Sequence, residues 1–150
     1  MTSTQRSETS PRVTCVRWPV ARRAAQVAAV VLAGLVVYQI ALAAGAPRGR
    51  AAWGGTHRSL PTSLRVGTAV PITIYVFAAL ILLRRAGYAI PHLSPRLARR
   101  GTWASVFVFS LSALVNLASH SEWERLVMGP LAFALGALSV VIGCAEEGPL

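Results

Sequence analysis

Four long apolar stretches divide the sequence, and all fifteen arginines and five glutamates lie outside them. The stretches cover residues 24–46, 66–83, 101–119 and 126–145. As helices that rise about 1.5 Å per residue they would extend about 27 to 34 Å, which matches the hydrocarbon core of a bilayer. The pattern predicts an all-α fold, a membrane-spanning antiparallel four-helix bundle.

The remaining segments are too short to form a second domain. We expect residues 1–23 to be a disordered basic cytoplasmic leader, residues 24–145 to be the four-span membrane domain, and residues 146–150 to be a cytoplasmic tail. The composition agrees, because 54% apolar and 13% charged residues are not typical of a soluble domain.

The distribution of arginine predicts the orientation. Ten arginines lie in the leader and the second connection, and five lie in the first and third connections. The excess of basic residues on the cytoplasmic side of bacterial inner (plasma) membrane proteins favours a multi-pass protein with both termini in the cytoplasm. Tryptophan marks the same boundaries, since Trp18 and Trp103 lie near the predicted inner boundary and Trp53 and Trp123 near the outer one.

The net charge of +10 would suit a nucleic-acid partner only if the basic residues formed one solvent-facing surface. The arginines instead flank the apolar stretches at both ends. The pattern therefore argues against nucleic acid and predicts the lipid bilayer as the main partner.

A cleaved signal peptide is the alternative interpretation of the first stretch. Arg22 and Arg23 precede it, and the triplets at 41–43 and 44–46 both have small residues at the first and third positions. A signal core is usually about 7 to 15 residues long, and this stretch is longer and starts well inside the chain. We therefore favour a retained span.

Local signals predict the helix ends. Pro19, after Trp18, suits the start of the first helix, and Ser94 followed by Pro95 suits an N-cap and first helical position. The third connection is so short that spans three and four must form an antiparallel hairpin. Within it, Ser121 and Glu124 have the spacing of a capping box.

Small residues recur along one face of the fourth span at steps of four, three and four, namely Ala132, Gly136, Ser139 and Gly143. Such a face lets another helix approach closely. We favour a packing role inside the bundle, with homodimerisation, or contact with another membrane protein, as the alternative.

The chain shows no catalytic, metal-binding or cofactor-binding motif. No acidic residue lies within the four stretches, whereas ion-coupled pumps and exporters need an ionisable group at membrane depth. With only Cys15 and Cys144 and no Cys-x-x-Cys pair, a membrane thiol oxidoreductase is also excluded. We expect no cofactor.

Polar residues concentrate toward the predicted outer side. A candidate outward-facing pocket comprises six residues from the outer halves of the spans and the outer loops: Gln39, Trp53, His57, Asn116, His120 and Trp123. The alternative is structural, since the amides Gln39 and Asn116 often join helices. The spacing of His57 and His120 does not by itself indicate a metal site or acid–base catalysis.

Three runs of the sequence resemble those of a family of small four-span bacterial integral membrane proteins. They are WGGTHR at 53–58, RRGTW at 99–103 and NLASHSEWER at 116–125. The resemblance implies the four-span architecture and a common role for the two outer-loop motifs. It implies no activity and no cofactor.

Two functional classes follow. We favour a non-enzymatic structural or accessory membrane subunit, because catalytic motifs are lacking. The alternative is a binding or transport component, or an enzyme, that uses the outer pocket for a lipid-like or small polar molecule.

Overall fold

The computed structural model describes residues 16–44 and 69–145, and this part of the chain is all-α. Its helices are α1, Trp18–Ala43; α2, Ala69–Arg85; α3, Pro95–Leu117; and α4, Gly129–Gly143. A π-helical segment, Glu124–Met128, leads directly into α4. The predictions for residues 1–15, 45–68 and 146–150, including most of the leader and the whole tail, lie outside the described residues.

The helices begin where the local signals predicted. Pro19 lies in the first turn of α1, after an extended residue at Arg17. At α3 the Ser94 side chain accepts a hydrogen bond of 3.2 Å from the backbone N–H of Leu97, which confirms the predicted N-cap. Because α1 starts at Trp18, residues 18–23 belong to the helix rather than to the leader to which we assigned them.

The start of the last helix is wider than an ordinary α-helix. The backbone N–H of Gly129 donates to the carbonyl of Glu124, five residues earlier. Pro130 follows in the first turn of α4 and has no N–H to continue the regular ladder. We attribute the π-helical turn to this proline, since a wider turn accommodates the ring and the missing donor.

The helices pack mainly with their neighbours in sequence. The largest interface joins α3 to α4, as the predicted hairpin requires, and further interfaces join α1 to α2, α2 to α3 and α1 to α4. The core between them consists largely of alanine and leucine, with Ala25, Ala28 and Leu32 of α1 meeting Leu82 of α2 and Leu135 of α4. Small side chains let the backbones approach closely.

Large apolar side chains also cover the outside of the helices. Val30, Phe107 and Phe133 are 72%, 68% and 69% exposed, and many further valines and leucines of α1, α2 and α3 are exposed. Among the described residues, two helical segments are long and apolar enough to cross a membrane, Trp18–Ala43 and Glu124–Gly143. The described part of α2 is only 17 residues long, and α3 carries three arginines in its first two turns.

One end of the helices is rich in arginine. Eight of the nine arginines in the described ranges lie at this end, which we call the arginine end: Arg17, Arg22, Arg23, Arg84, Arg85, Arg96, Arg99 and Arg100. Arg85 there donates through Nη2 to the carbonyls of Gly143 and Ala145, at 3.3 and 2.8 Å. The side chain thus caps the carboxyl end of α4.

The connection between α2 and α3 is held against α1 at the same end. Gly87 has a positive φ of 83°, and a Cβ built there would lie 2.0 Å from the Trp18 ring. The Arg22 guanidinium lies 4.7 Å from the centre of the Tyr88 ring, and Arg84 Nε donates to the Leu93 carbonyl at 3.0 Å. These contacts hold the connection against α1, and a shallow cavity of about 370 Å³ lies beside it, lined by Arg84, Gly87, Ala89, Ile90 and Pro91.

Candidate binding cavity

A cavity of about 630 Å³ opens among the helices at the end opposite the arginine end. We call it the outer cavity, because the orientation predicted from the sequence would place it on the outer side. It is lined by residues from all four helices, the π-helical segment and the connection that precedes it: Leu35, Tyr38, Gln39, Pro71, Tyr75, Phe109, Ser112, Val115, Asn116, Ser119, His120, Glu124, Met128, Leu131, Ala132 and Leu135. From Glu124 to Leu135 the helix advances about 16 Å at 1.5 Å per residue, so the cavity reaches deep between the helices.

The structure brings half of the predicted pocket together. Gln39, Asn116 and His120 line the outer cavity, although they come from α1, α3 and the connection after α3. Trp123 is not among the lining residues and is 44% exposed. Trp53 and His57 lie outside the described residues, so their part in the pocket stays a prediction.

The two amides of the cavity have different partners. The side chain of Gln39 is hydrogen-bonded to that of Tyr75, which joins α1 to α2. Asn116 Nδ2 instead donates to the carbonyl and the hydroxyl of Ser112 in the same helix, at 2.8 and 3.2 Å. Gln39 therefore makes a hydrogen bond between helices, whereas the amide N–H groups of Asn116 bond within α3.

Glu124 has two roles at the mouth of the cavity. Its backbone N–H donates to Ser121 Oγ at 3.5 Å, as the capping-box spacing predicted, and its carboxylate accepts a hydrogen bond from Ser119 Oγ. Ser119 Oγ also accepts from the N–H of Ser121, at 3.1 Å. The same Glu124 lines the outer cavity, so the cap fixes a carboxylate at its wall.

Sequence reasoning missed this second role of Glu124 and most of the aromatic lining. Glu124, Met128, Leu131 and Leu135 recur at steps of four, three and four, and all four line the cavity. That spacing could have placed the glutamate on an inward face. Tyr38, Tyr75 and Phe109 carry no comparable signal, because only the packing of α1, α2 and α3 brings them together.

The small residues of α4 pack against other helices of the same chain. Ala132 and Ser139 are buried. A Cβ built at Gly136 would lie 3.6 Å from Ser110 Oγ, and one built at Gly143 would lie 3.5 Å from the Thr102 methyl carbon. Both glycines thus face α3, and Ala132 forms part of the cavity wall.

In residues 16–44 and 69–145 no group of three or more His, Cys, Asp or Glu side chains could hold a metal ion. Cys144 is a free, exposed thiol in that part of the chain. The outer cavity has an apolar and aromatic wall with a few polar groups at its mouth, which is the composition typical of ligand-binding pockets.

Comparisons of the chain with protein-family models, with curated proteins and with solved structures found no match. The resemblance to four-span bacterial membrane proteins accordingly stays a prediction. The function has to be inferred from the geometry of the cavity itself.

Proposed function

We propose that this chain is a four-span protein of a bacterial inner membrane that binds a small amphipathic or lipid-like molecule in the outer cavity. The observation that carries the proposal is the cavity of about 630 Å³, which falls within the range of about 300–1,000 Å³ typical of ligand pockets. Its apolar depth and polar mouth suit a molecule with an apolar body and a polar head.

The exposed apolar surface supports the four-span architecture. Phe77 of α2 and Phe107 and Leu114 of α3 are mostly exposed, as are Val30 and Val37 of α1. In water, contiguous apolar patches of this extent would be an association surface, whereas in lipid they need no partner. This surface occurs on α2 and α3 as well as on the two helical segments that meet the length and composition of a span.

The charge distribution supports both termini in the cytoplasm. The arginine end holds eight arginines, against Arg125 alone near the outer cavity among the described residues. A reporter that is active only in the cytoplasm, fused after Leu150, should be active. A silent fusion would reverse the orientation and place the cavity on the cytoplasmic side.

The packing of α1 supports a retained first span. Ala25, Ala28 and Leu32 are fully buried against the other helices, so removal of α1 would expose the core. The intact mass of the purified protein should therefore include the first 46 residues.

Binding in the outer cavity is tested by filling it. Ala132→Leu places extra carbon atoms in the cavity wall, and Ala134→Leu makes the same change at an exposed position of the same helix. As a probe we choose triphenylphosphine oxide, a neutral molecule with an apolar body and one polar oxygen, in equilibrium dialysis with the detergent-solubilised protein. Ala132→Leu should weaken binding about tenfold, equivalent to about 1.4 kcal/mol, and Ala134→Leu should not.

Equal binding of the oxide by the two variants would refute the proposal, as would a wild type that binds no apolar probe of this shape, neutral or charged, beyond the level of protein-free micelles. The accessory-subunit role favoured from the sequence gains no partner surface from the small-residue face of α4, because that face lies against α3, as its favoured packing role requires. Crosslinking in native membranes that recovers one stoichiometric protein partner would restore it.

A further inference from the structure

We infer that the ligand of the outer cavity is an amphiphilic organic cation, such as a hydrophobic quaternary ammonium or phosphonium compound. The inference deepens the proposed function and rests on it. It is carried by the juxtaposition of one carboxylate with three aromatic side chains in the wall of a single cavity.

The charge of the lining is the first argument. Glu124 is the only Asp, Glu, Lys or Arg side chain among the sixteen lining residues. Eight of the nine arginines in the described ranges lie at the arginine end, and the ninth, Arg125, follows Glu124 in sequence but does not line the cavity. A cavity with one formal negative charge and low-dielectric walls favours a cation over an anion.

The position of that charge is the second argument. Ser119 Oγ donates to the Glu124 carboxylate, and the cap at Ser121 fixes the backbone of Glu124. The carboxylate is therefore held in place at the mouth before a ligand arrives. A preorganised charge loses less free energy to side-chain ordering on binding than a flexible surface glutamate would.

The aromatic wall is the third argument. Tyr38, Tyr75 and Phe109 line the cavity from three helices. The faces of aromatic rings carry partial negative charge and attract cations, most effectively weakly hydrated ones such as quaternary ammonium groups.

A bare inorganic cation fits less well. Calcium and magnesium ions take six or more oxygen ligands, whereas the wall offers one carboxylate and is half composed of aliphatic and Phe or Pro side chains. Eight of the lining residues, including Leu131 and Leu135 at the deep end, are of that kind. The ligand therefore needs an apolar body as well as a positive charge.

The test uses three probes of similar shape and different charge: tetraphenylphosphonium (positive), triphenylphosphine oxide (neutral) and tetraphenylborate (negative). Binding to the full-length protein in a nonionic detergent is measured by equilibrium dialysis, with protein-free micelles subtracted. Wild-type protein should bind the phosphonium at least about tenfold more tightly than the neutral oxide. Tetraphenylborate should bind no better than the oxide.

Two variants separate charge from shape. Glu124→Gln should weaken phosphonium binding about tenfold and leave oxide binding unchanged, while Glu122→Gln, at an exposed position outside the cavity, should change neither. If Glu124→Gln does not fold, the order of the wild-type affinities for the three probes still tests the inference. Equal affinity for phosphonium and oxide, or parallel losses of both in Glu124→Gln, would overturn the inference while leaving the proposed function intact. Failure of all three probes to bind wild type would overturn both.

Discussion

The two ends of the helices differ both in charge and in how closely the helices pack. At the arginine end Thr102, Ser139 and Ile142 are fully buried. The Arg85 guanidinium there donates hydrogen bonds to backbone carbonyls at the carboxyl end of α4. At the other end the helices leave a cavity of about 630 Å³. The helix core is therefore closed at the arginine end, where the cavity beside the α2–α3 connection lies at the surface, and it is open between the helices at the opposite end.

The largest effect is expected at the contact of Gly87 with the Trp18 ring. Gly87→Ala should lower the free energy of unfolding by about 2–4 kcal/mol, because it places a Cβ inside the Trp18 ring at a positive φ. Thermal unfolding in detergent would measure it. Gly34→Ala is the matched control, since nothing lies within 4 Å of its Cβ position, and it should be neutral or stabilising by up to about 1 kcal/mol. Equal behaviour of the two variants would contradict the packing described for this end.

Loss of the arginine cap should have the next largest effect. Arg85→Gln removes charge-assisted hydrogen bonds to Gly143 and Ala145 and should cost about 1.5–3 kcal/mol of stability. Arg23→Gln, at an exposed position of α1, should change stability by less than about 0.5 kcal/mol. If the two arginine variants unfold at the same temperature, Arg85 does not anchor α4.

The small-residue face of α4, which lies between the two ends, can be tested at Gly136. Because a Cβ there would meet α3 at ordinary contact distances, Gly136→Ala should fold nearly normally. Gly136→Leu should push α3 and α4 apart at a cost of about 1–3 kcal/mol. A leucine variant as stable as wild type in detergent would show that this face is not in contact with α3.

The smallest effect should come from the N-cap of α3. Ser94→Ala removes the acceptor for the Leu97 N–H and should cost about 1 kcal/mol, because the cap is exposed and water can replace it in part. Ser94→Asp should restore most of the loss. An alanine variant with unchanged thermal stability would mean that Pro95 alone defines the start of α3.

Local signals predicted the helix starts, and long-range contacts could not be predicted in the same way. Pro19 and Ser94 act within a few residues of themselves, so the sequence alone placed them. Arg85 and Gly143 are 58 residues apart in the sequence, and their contact depends on how α2 packs against α4. The arginine count therefore predicted which side that end faces and gave no hint that its residues cap a helix.

The cavity was predicted in part for the same reason. Gln39 and Asn116 stood out because polar residues are rare in apolar stretches. Glu124 was assigned only its local capping role, although its helical spacing with Met128 also places it on the cavity wall. The π-helical turn before Pro130 could not be predicted, since a proline in this position is equally compatible with a simple helix start.

The contrast between a closed and an open end is tested most directly by thiol labelling on α3. Cys15 and Cys144 would be replaced by serine, and a single cysteine would be introduced as Ser112→Cys, in the cavity wall, or Thr102→Cys, in the closed core. A water-soluble methanethiosulfonate reagent would be added to the protein in detergent and the intact mass followed with time. We predict complete modification of the Ser112→Cys variant while the Thr102→Cys variant stays unmodified. Equal rates, or protection of the Ser112→Cys variant, would contradict the account.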